Sequence, residues 1–265
     1  MSAMPAMLAK PATLFKTDAR QNDLLGALSA ADWARLRGEL EYVELARGHE
    51  LHAQGHSMSH AYFPVTAVVS LVYMMQSGAS AEMAAIGREG VVGIALFMGG
   101  NTMPSRAVVQ TAGHAFRLRA QVLRDEFERA GTVMHVLLRY TQALITEMAM
   151  LGACNRHHSL DHRLCRWLLR YTDRLQGHNV TMTQEALAET LGVRREGVTE
   201  SALKLRDAGL ITYARGHISV LDRPGLERRA CECHDVVTKE YARLLPSREV
   251  CRVVGQARVK QQASA

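Results

Sequence analysis

Thr181-Met182-Thr183-Gln184-Glu185-Ala186-Leu187-Ala188-Glu189-Thr190-Leu191-Gly192-Val193-Arg194-Arg195-Glu196-Gly197-Val198-Thr199-Glu200 is the stretch that decides the fold. It fits two short helices around a tight turn. Leu187, Leu191 and Val198 supply the apolar contacts between them, and Ala188 is small where the second helix must come close. Gly192 stands at the turn, where a positive φ would penalise any residue carrying a Cβ. Thr183 is placed to cap the first helix by accepting from a free first-turn amide. Such a helix-turn-helix lays its second helix in the DNA major groove.

The residues downstream extend the motif. The second helix runs on through Ser201-Ala202-Leu203-Lys204-Leu205-Arg206-Asp207 and stops at Ala208-Gly209, a glycine end signal. Two β-rich runs come next, Leu210–Tyr213 and His217–Leu221, joined through Ala214-Arg215-Gly216. That hairpin is a wing. An Ala…Gly…Val pattern alone also fits any two packed helices; the hairpin directly behind it makes DNA binding the better reading.

The net charge of +6 is unevenly placed. Residues 1–152 carry 13 basic and 13 acidic side chains, whereas residues 153–265 carry 19 and 13, so the whole excess lies with the motif. A local basic excess suits a binder of the phosphate backbone. Five cysteines, an odd number, argue against a disulfide framework. Residues 1–16 lack the charged-then-apolar layout of a secretory signal, and no run of about 18 apolar residues occurs, so a cytoplasmic protein without a membrane span is expected.

Upstream, residues 1–20 read as a loose arm. Leu24, Leu25, Leu28, Trp33, Leu36 and Leu40 put a helix over 21–40. From Tyr42 to about Arg119, short β-rich runs alternate with turns at Arg47-Gly48, Gln54-Gly55, Ser77-Gly78 and Gly99-Gly100-Asn101, the spacing of a β-sandwich or roll. One long helix is expected over 121–152. Its stripe of Val133, Val136, Leu137, Tyr140, Leu144, Met148 and Leu151 is read as a dimer face. Cys154–His158 reads as a hinge, Ser159–Leu175 as a helix, Gly225–Leu245 as another, and 246–265 as a basic tail.

A β-roll, a long helix and a winged helix-turn-helix in that order resemble the cyclic-AMP receptor protein/Fnr family of bacterial transcription regulators. The resemblance covers about residues 22–245 and is most specific in the winged domain and in Glu89-Gly90-Val91-Val92-Gly93-Ile94-Ala95-Leu96, which is similar to the family's effector loop. It implies an α+β fold with a cyclic-nucleotide-binding-like jelly roll over 21–120, a dimerisation helix over 121–153 and a winged helix-turn-helix over 154–245. It further implies a homodimer on palindromic promoter DNA, with RNA polymerase as a further candidate partner. Arg195 and Glu196 take the positions that read bases, by arginine to guanine O6/N7 and glutamate to cytosine N4. Glu200 takes a third position, normally an arginine, which makes the same operator unexpected. Thr183, Gln184 and Arg194, with Arg215 and His217 on the wing, fall where phosphate contacts would set register.

The expected sensing residues depart from the family. Cyclic-nucleotide domains carry a Gly-Glu pair for the ribose 2′-hydroxyl; here Gly93 is followed by Ile94. Arg106, the candidate for the cyclic phosphate, is displaced by one from the family position, and in a strand that turns a side chain to the other face. With Gly93, Ile94 and Arg106 as the effector pocket, binding of cyclic AMP or cyclic GMP in the usual mode is not expected. A cluster of the Fnr type needs four thiolates, mostly N-terminal, and the first cysteine here is Cys154. Haem stays open, with twelve histidines and no spacing that singles one out. No metal site is assigned: His49, His52, His56 and His60 form a loop-like cluster, and Cys231 and Cys233 would point about 200° apart on one helix. No phosphate loop, nucleophile motif or metal triad suggests an enzyme. The competing reading is a ligand- or redox-sensing module, haem or small molecule, whose helix-turn-helix serves protein contacts.

Overall fold

The computed structural model describes residues 18–175 and 177–245; most of the N-terminal arm and the whole basic tail, with Cys251, lie outside the described residues. Asp18, at the end of that arm, accepts from Arg20 and caps a single 3-10 turn. Where one helix was expected over 21–40, there are two, α1 (Asp23–Gly26) and α2 (Ala30–Leu36). Ser29 is the reason: its hydroxyl accepts from the Asp32 amide and starts a new helix.

Seven strands come after them: β1 (Glu41–Leu45), β2 (Glu50–His52), β3 (His60–Pro64), β4 (Val68–Met74), β5 (Ser80–Ile86), β6 (Arg106–Thr111) and β7 (Gly113–Arg119). They form two antiparallel sheets of order β1-β7-β3 and β2-β6-β4-β5. Period-two alternation sends Ala61, Phe63 and Leu118 inward from one sheet and Val69, Leu71, Ala107 and Val109 from the other. β4 departs from the alternation. Val68 and Ser70 are buried too, because the C-terminal half of the chain covers the outer face of that sheet; Val68 and Ala85 belong to its core. The short strand β2 carries no clear sequence signal.

The expected single helix over 121–152 is likewise two, α3 (Ala120–Glu128) and α4 (Thr132–His157), divided where Ala130 takes a φ of +55° before Gly131. α4 corrects two expectations. Cys154–His157 is its last turn, not a hinge. Moreover, Val133, Val136, Leu137, Tyr140 and Leu144 are buried in the protomer's own core with Leu24, Leu25, Leu118 and Leu123. Met148 packs against the same core, and Leu151 lines a cleft with Glu82 and Trp167. Helical periodicity shows that a face is buried; it does not show what buries it. Gly90 belongs to this packing, since a Cβ there would collide with the Tyr140 hydroxyl and ring.

α5 (Leu160–Leu175) opens the second half, followed by β8 (Asn179–Thr181), α6 (Gln184–Leu191), α7 (Arg195–Asp207), β9 (Ile211–Ala214), β10 (His217–Val220), α8 (Arg223–Arg229) and α9 (Cys233–Leu244). The strands form one small antiparallel sheet, β8-β10-β9. Leu164, Leu168, Leu187, Val198, Leu205, Ile218 and Leu226 make its core. The expected helix over 225–245 is broken at Ala230–Glu232, so Cys231 precedes α9 and the helical angle between Cys231 and Cys233 does not apply. α9 folds back on α4.

Where the halves meet, Glu147 of α4 is buried between two arginines of α5. It accepts from Arg170 at 3.0 Å, from Arg174 at 2.8 Å and from the Tyr241 hydroxyl of α9 at 2.8 Å. Arg174 also donates to Glu89 of the effector-loop region at 2.7 Å, and Arg170 lies over the Tyr241 ring at 4.8 Å. Burial alone would raise the Glu147 carboxyl; Arg170 and Arg174 instead hold it well below the usual carboxylate range.

Candidate nucleic-acid interface

α6 and α7 are set by the contacts their sequence offers. The Thr183 hydroxyl accepts from the Ala186 amide at 3.2 Å and caps α6. Gly192 ends it at φ +64°, with its own amide donating to the last carbonyls of the helix. Arg163 of α5 donates to the Leu191 carbonyl, so a buried guanidinium supports the turn from beneath. Gln184, expected at a phosphate, instead accepts from the Thr199 hydroxyl at 3.0 Å and locks α6 to α7.

This leaves the outer side of α7 open. Arg194, Arg195 and Glu196 are exposed at its N-terminal end, where unpaired backbone amides favour an anion. Glu200, the third expected reader, is exposed but paired with Lys204 at 2.9 Å. Leu203 is 41% exposed one turn further along. On the wing, Arg215 and Gly216 are the two residues between β9 and β10, with φ of +50° and +81°. Both central residues of a type I′ turn need positive φ. An arginine is costly there, and its place in the two-residue turn puts it at the tip of the hairpin. His217 is exposed and within 3.3 Å of the Thr181 hydroxyl across the sheet. The structure thus brings Thr183, Arg194, Arg195, Glu196, Arg215 and His217 onto exposed positions of one small domain, with Gln184 half-buried and its Oε1 engaged by Thr199.

The effector-loop residues are placed differently. Gly93 takes φ +107° and caps a 3-10 turn, Ile94–Leu96, packed near Ala61. Ile94 is half-buried against the roll core and offers no acceptor for a ribose hydroxyl. Arg106, at the start of β6, has the Glu50 carboxylate 4.0 Å away, so a cyclic phosphate there would meet a like charge. Ile94 thus brings no carboxylate to this loop, and the Arg106 guanidinium already has an acidic neighbour. The four N-terminal histidines do not converge either: His52 and His60 lie on different sheets, and no three of the four bring ligand atoms together.

Sequence reasoning misses the Glu147–Arg170–Arg174 group. Its signal lies in the spacing: Glu147 falls on the apolar stripe between Leu144 and Leu151, and Arg166, Arg170 and Arg174 recur every fourth residue on a helix that also carries a core. Among the described residues no helix is long and apolar enough to cross a membrane.

Comparison with known proteins agrees with this geometry. Residues 42–130 match the family model of the cyclic nucleotide-binding domain, and residues 162–229 match that of the Crp-like helix-turn-helix domain. The chain belongs to the Crp/Fnr family of transcriptional regulators. Solved structures share its fold. FixK2 from Bradyrhizobium japonicum is 15% identical with a TM-score of 0.63, over 72% of this regulator and 98% of that chain. A CRP-family transcriptional regulator from Thermus thermophilus is 22% identical, TM-score 0.60, over 71% and 96%. CLP from Xanthomonas campestris, described as c-di-GMP responsive, is 13% identical, TM-score 0.61, over 73% and 100%. No curated protein sequence matches the regulator.

Proposed function

We propose that the regulator binds palindromic promoter DNA as a homodimer, with Arg195 and Glu196 of each α7 reading bases in successive major grooves. The observation that carries this reading is the exposed Arg194-Arg195-Glu196 end of α7, flanked by the wing arginine Arg215. Arg194, Thr183 and Arg215 serve the phosphates. Glu200, held by Lys204, takes a lesser part in readout. Two half-sites lie about 34 Å apart on one DNA face, which calls for a two-fold dimer.

α4 supplies the face for that dimer, on the side opposite its buried stripe. His135, Leu138, Gln142, Ile145, Ala149 and Gly152 advance by alternate steps of three and four, the 3.5-residue repeat of a paired helix. Leu138 and Ile145 are 43% and 51% exposed, and Ala149 and Gly152 are small enough for close approach. The repeat runs about 26 Å along the helix. The signal that tunes the dimer is not a cyclic nucleotide held in the usual mode, since Ile94 and the Glu50-facing Arg106 support neither of its anchor points.

Selection of binding sites from random duplex DNA by the purified chain tests the reading. A palindrome with arginine-type guanine preference in each half is expected. Absence of any duplex binding at low salt would instead favour a helix-turn-helix used for protein contacts.

A further inference from the structure

Away from the DNA-reading face, the last turn of α4 meets the break between α8 and α9. Cys154 lies in the last turn of α4, and His158 is the extended residue that caps it, its amide donating to the Cys154 carbonyl. Cys231 and Cys233 approach from the other side, Cys231 from the bend and Cys233 from the first turn of α9. Cys154 Sγ stands 3.5 Å from Cys231 Sγ, and Cys233 Sγ stands 3.6 Å from His158 Nδ1. All four donor atoms lie within 4.8 Å of one another. All three cysteines are buried, and Met150 packs against them.

We propose that Cys154, His158, Cys231 and Cys233 form a closed tetrahedral site for one thiophilic divalent cation of the zinc type, which pins the end of α4 to the α8–α9 junction. The dimensions suit it. With Zn–S bonds of about 2.3 Å, a tetrahedron has edges of about 3.8 Å, close to the two separations above. Three thiolates and an imidazole are the donor set of a structural zinc site, with no position left open for a reacting water. Donors this close leave room for a single ion and not for a multi-iron cluster. A further group supports the assignment: His158 presents Nε2 to Glu232 Oε1 at 3.3 Å. A carboxylate on the far ring nitrogen fixes the tautomer that leaves Nδ1 free to ligate. On binding, each thiol loses its proton to solvent, so the four ligands carry three negative charges against two on the ion. The chain elements tied together are the helix proposed to carry the dimer and the far end of the DNA-binding domain.

The reduced, metal-free full-length chain is titrated with Co²⁺ and then Zn²⁺. One cobalt per chain is expected, with thiolate charge-transfer and tetrahedral ligand-field bands that zinc bleaches. Cys233→Ser and His158→Ala should each weaken uptake at least tenfold, and Cys165→Ala, outside the group, should leave it unchanged. Glu232→Gln alters an exposed side chain and keeps all four donors; loss of the carboxylate should lower affinity about 10–100-fold. This variant serves where a ligand variant fails to fold. An octahedral cobalt spectrum without thiolate bands, uptake unaffected by Cys233→Ser, or a Cys154–Cys231 disulfide that forms equally in excess zinc would each overturn the proposal.

Discussion

Arg195 and Arg215 are both exposed cations of the same domain, yet they should fail differently when removed. Arg195→Ala takes away a bidentate base contact, at a cost of about 1–3 kcal/mol of operator affinity and a relaxed preference at one position per half-site. Arg215→Ala should weaken all sequences alike and flatten the salt dependence of binding. Salt titrations on selected and scrambled duplexes separate the two; an unchanged motif for Arg195→Ala would mean that α7 docks in another register. Two carboxyls of the inter-domain cleft, Glu147 buried and Glu82 half-buried, also differ in sign. Glu147 is held below its ordinary value of 4.5, so its contribution is present above that value and lost as pH falls through the lowered one. Glu82 is pushed up by burial, against the Ser70 hydroxyl and Arg174, so its contribution is full below 4.5 and lost as pH rises through the raised value. Glu82→Gln should therefore stabilise the regulator at neutral pH and cease to do so in acid. Glu147→Gln leaves the buried Arg170 without its carboxylate and Arg174 with Glu89 alone, and should cost about 3–5 kcal/mol at neutral pH. Denaturant unfolding across pH checks both, and parallel pH profiles for the two variants would contradict the assignment of signs.

α4 presents two apolar faces, and substitutions on them should have opposite outcomes. Leu144 is fully buried in the roll core, so Leu144→Glu should unfold the N-terminal half. Ile145, the next residue, is half exposed, and Ile145→Glu should leave a folded monomer. Sedimentation with circular dichroism distinguishes these results; a dimer that survives Ile145→Glu places the interface elsewhere. The same helix shows how far the sequence is legible. The richer stripe, Val133 to Leu144, is the one that the protomer itself covers, and the sparser one with Gln142 and Gly152 escapes notice because its apolar content is low. Local signals hold where the cause is local. Thr183 caps and Gly192 turns as their residue types require, and the wing hairpin closes with Gly216 at positive φ. What is not legible depends on partners distant in the chain or on a local competition that periodicity does not register: that Ser29 splits the first helix, that Ala130 tolerates a positive φ, and that Arg170 and Arg174 find Glu147. Nor does the sequence show that Gln184 Oε1 accepts from the Thr199 hydroxyl, a bond that spans two helices.

At the scale of the molecule, regulation requires that a ligand favour one arrangement of the two halves over another. A ligand shifts such an equilibrium only by its differential affinity. With Ile94 and the Arg106–Glu50 pair where a nucleotide would be held, cyclic AMP at millimolar levels should neither bind in calorimetry nor change operator affinity. Micromolar binding that tightens the operator complex tenfold, about 1.4 kcal/mol of coupling, would overturn that expectation. The seating of the halves on each other has a different consequence. α5 gives Leu164 and Leu168 to the winged domain while its last two turns give Arg170 and Arg174 to Glu147 and Glu89 on the other side. The border between the two domains thus runs along the middle of one helix and not through a linker. Exchanging the DNA-reading half for that of a relative by recombination at residue 159 would remove Arg170, Arg174 and Tyr241 together and leave Glu147 and Glu89 without them. An incoming half would have to bring two arginines and a tyrosine to the same places, so new operator specificities are reached more readily by changing residues on α7 than by shuffling whole domains.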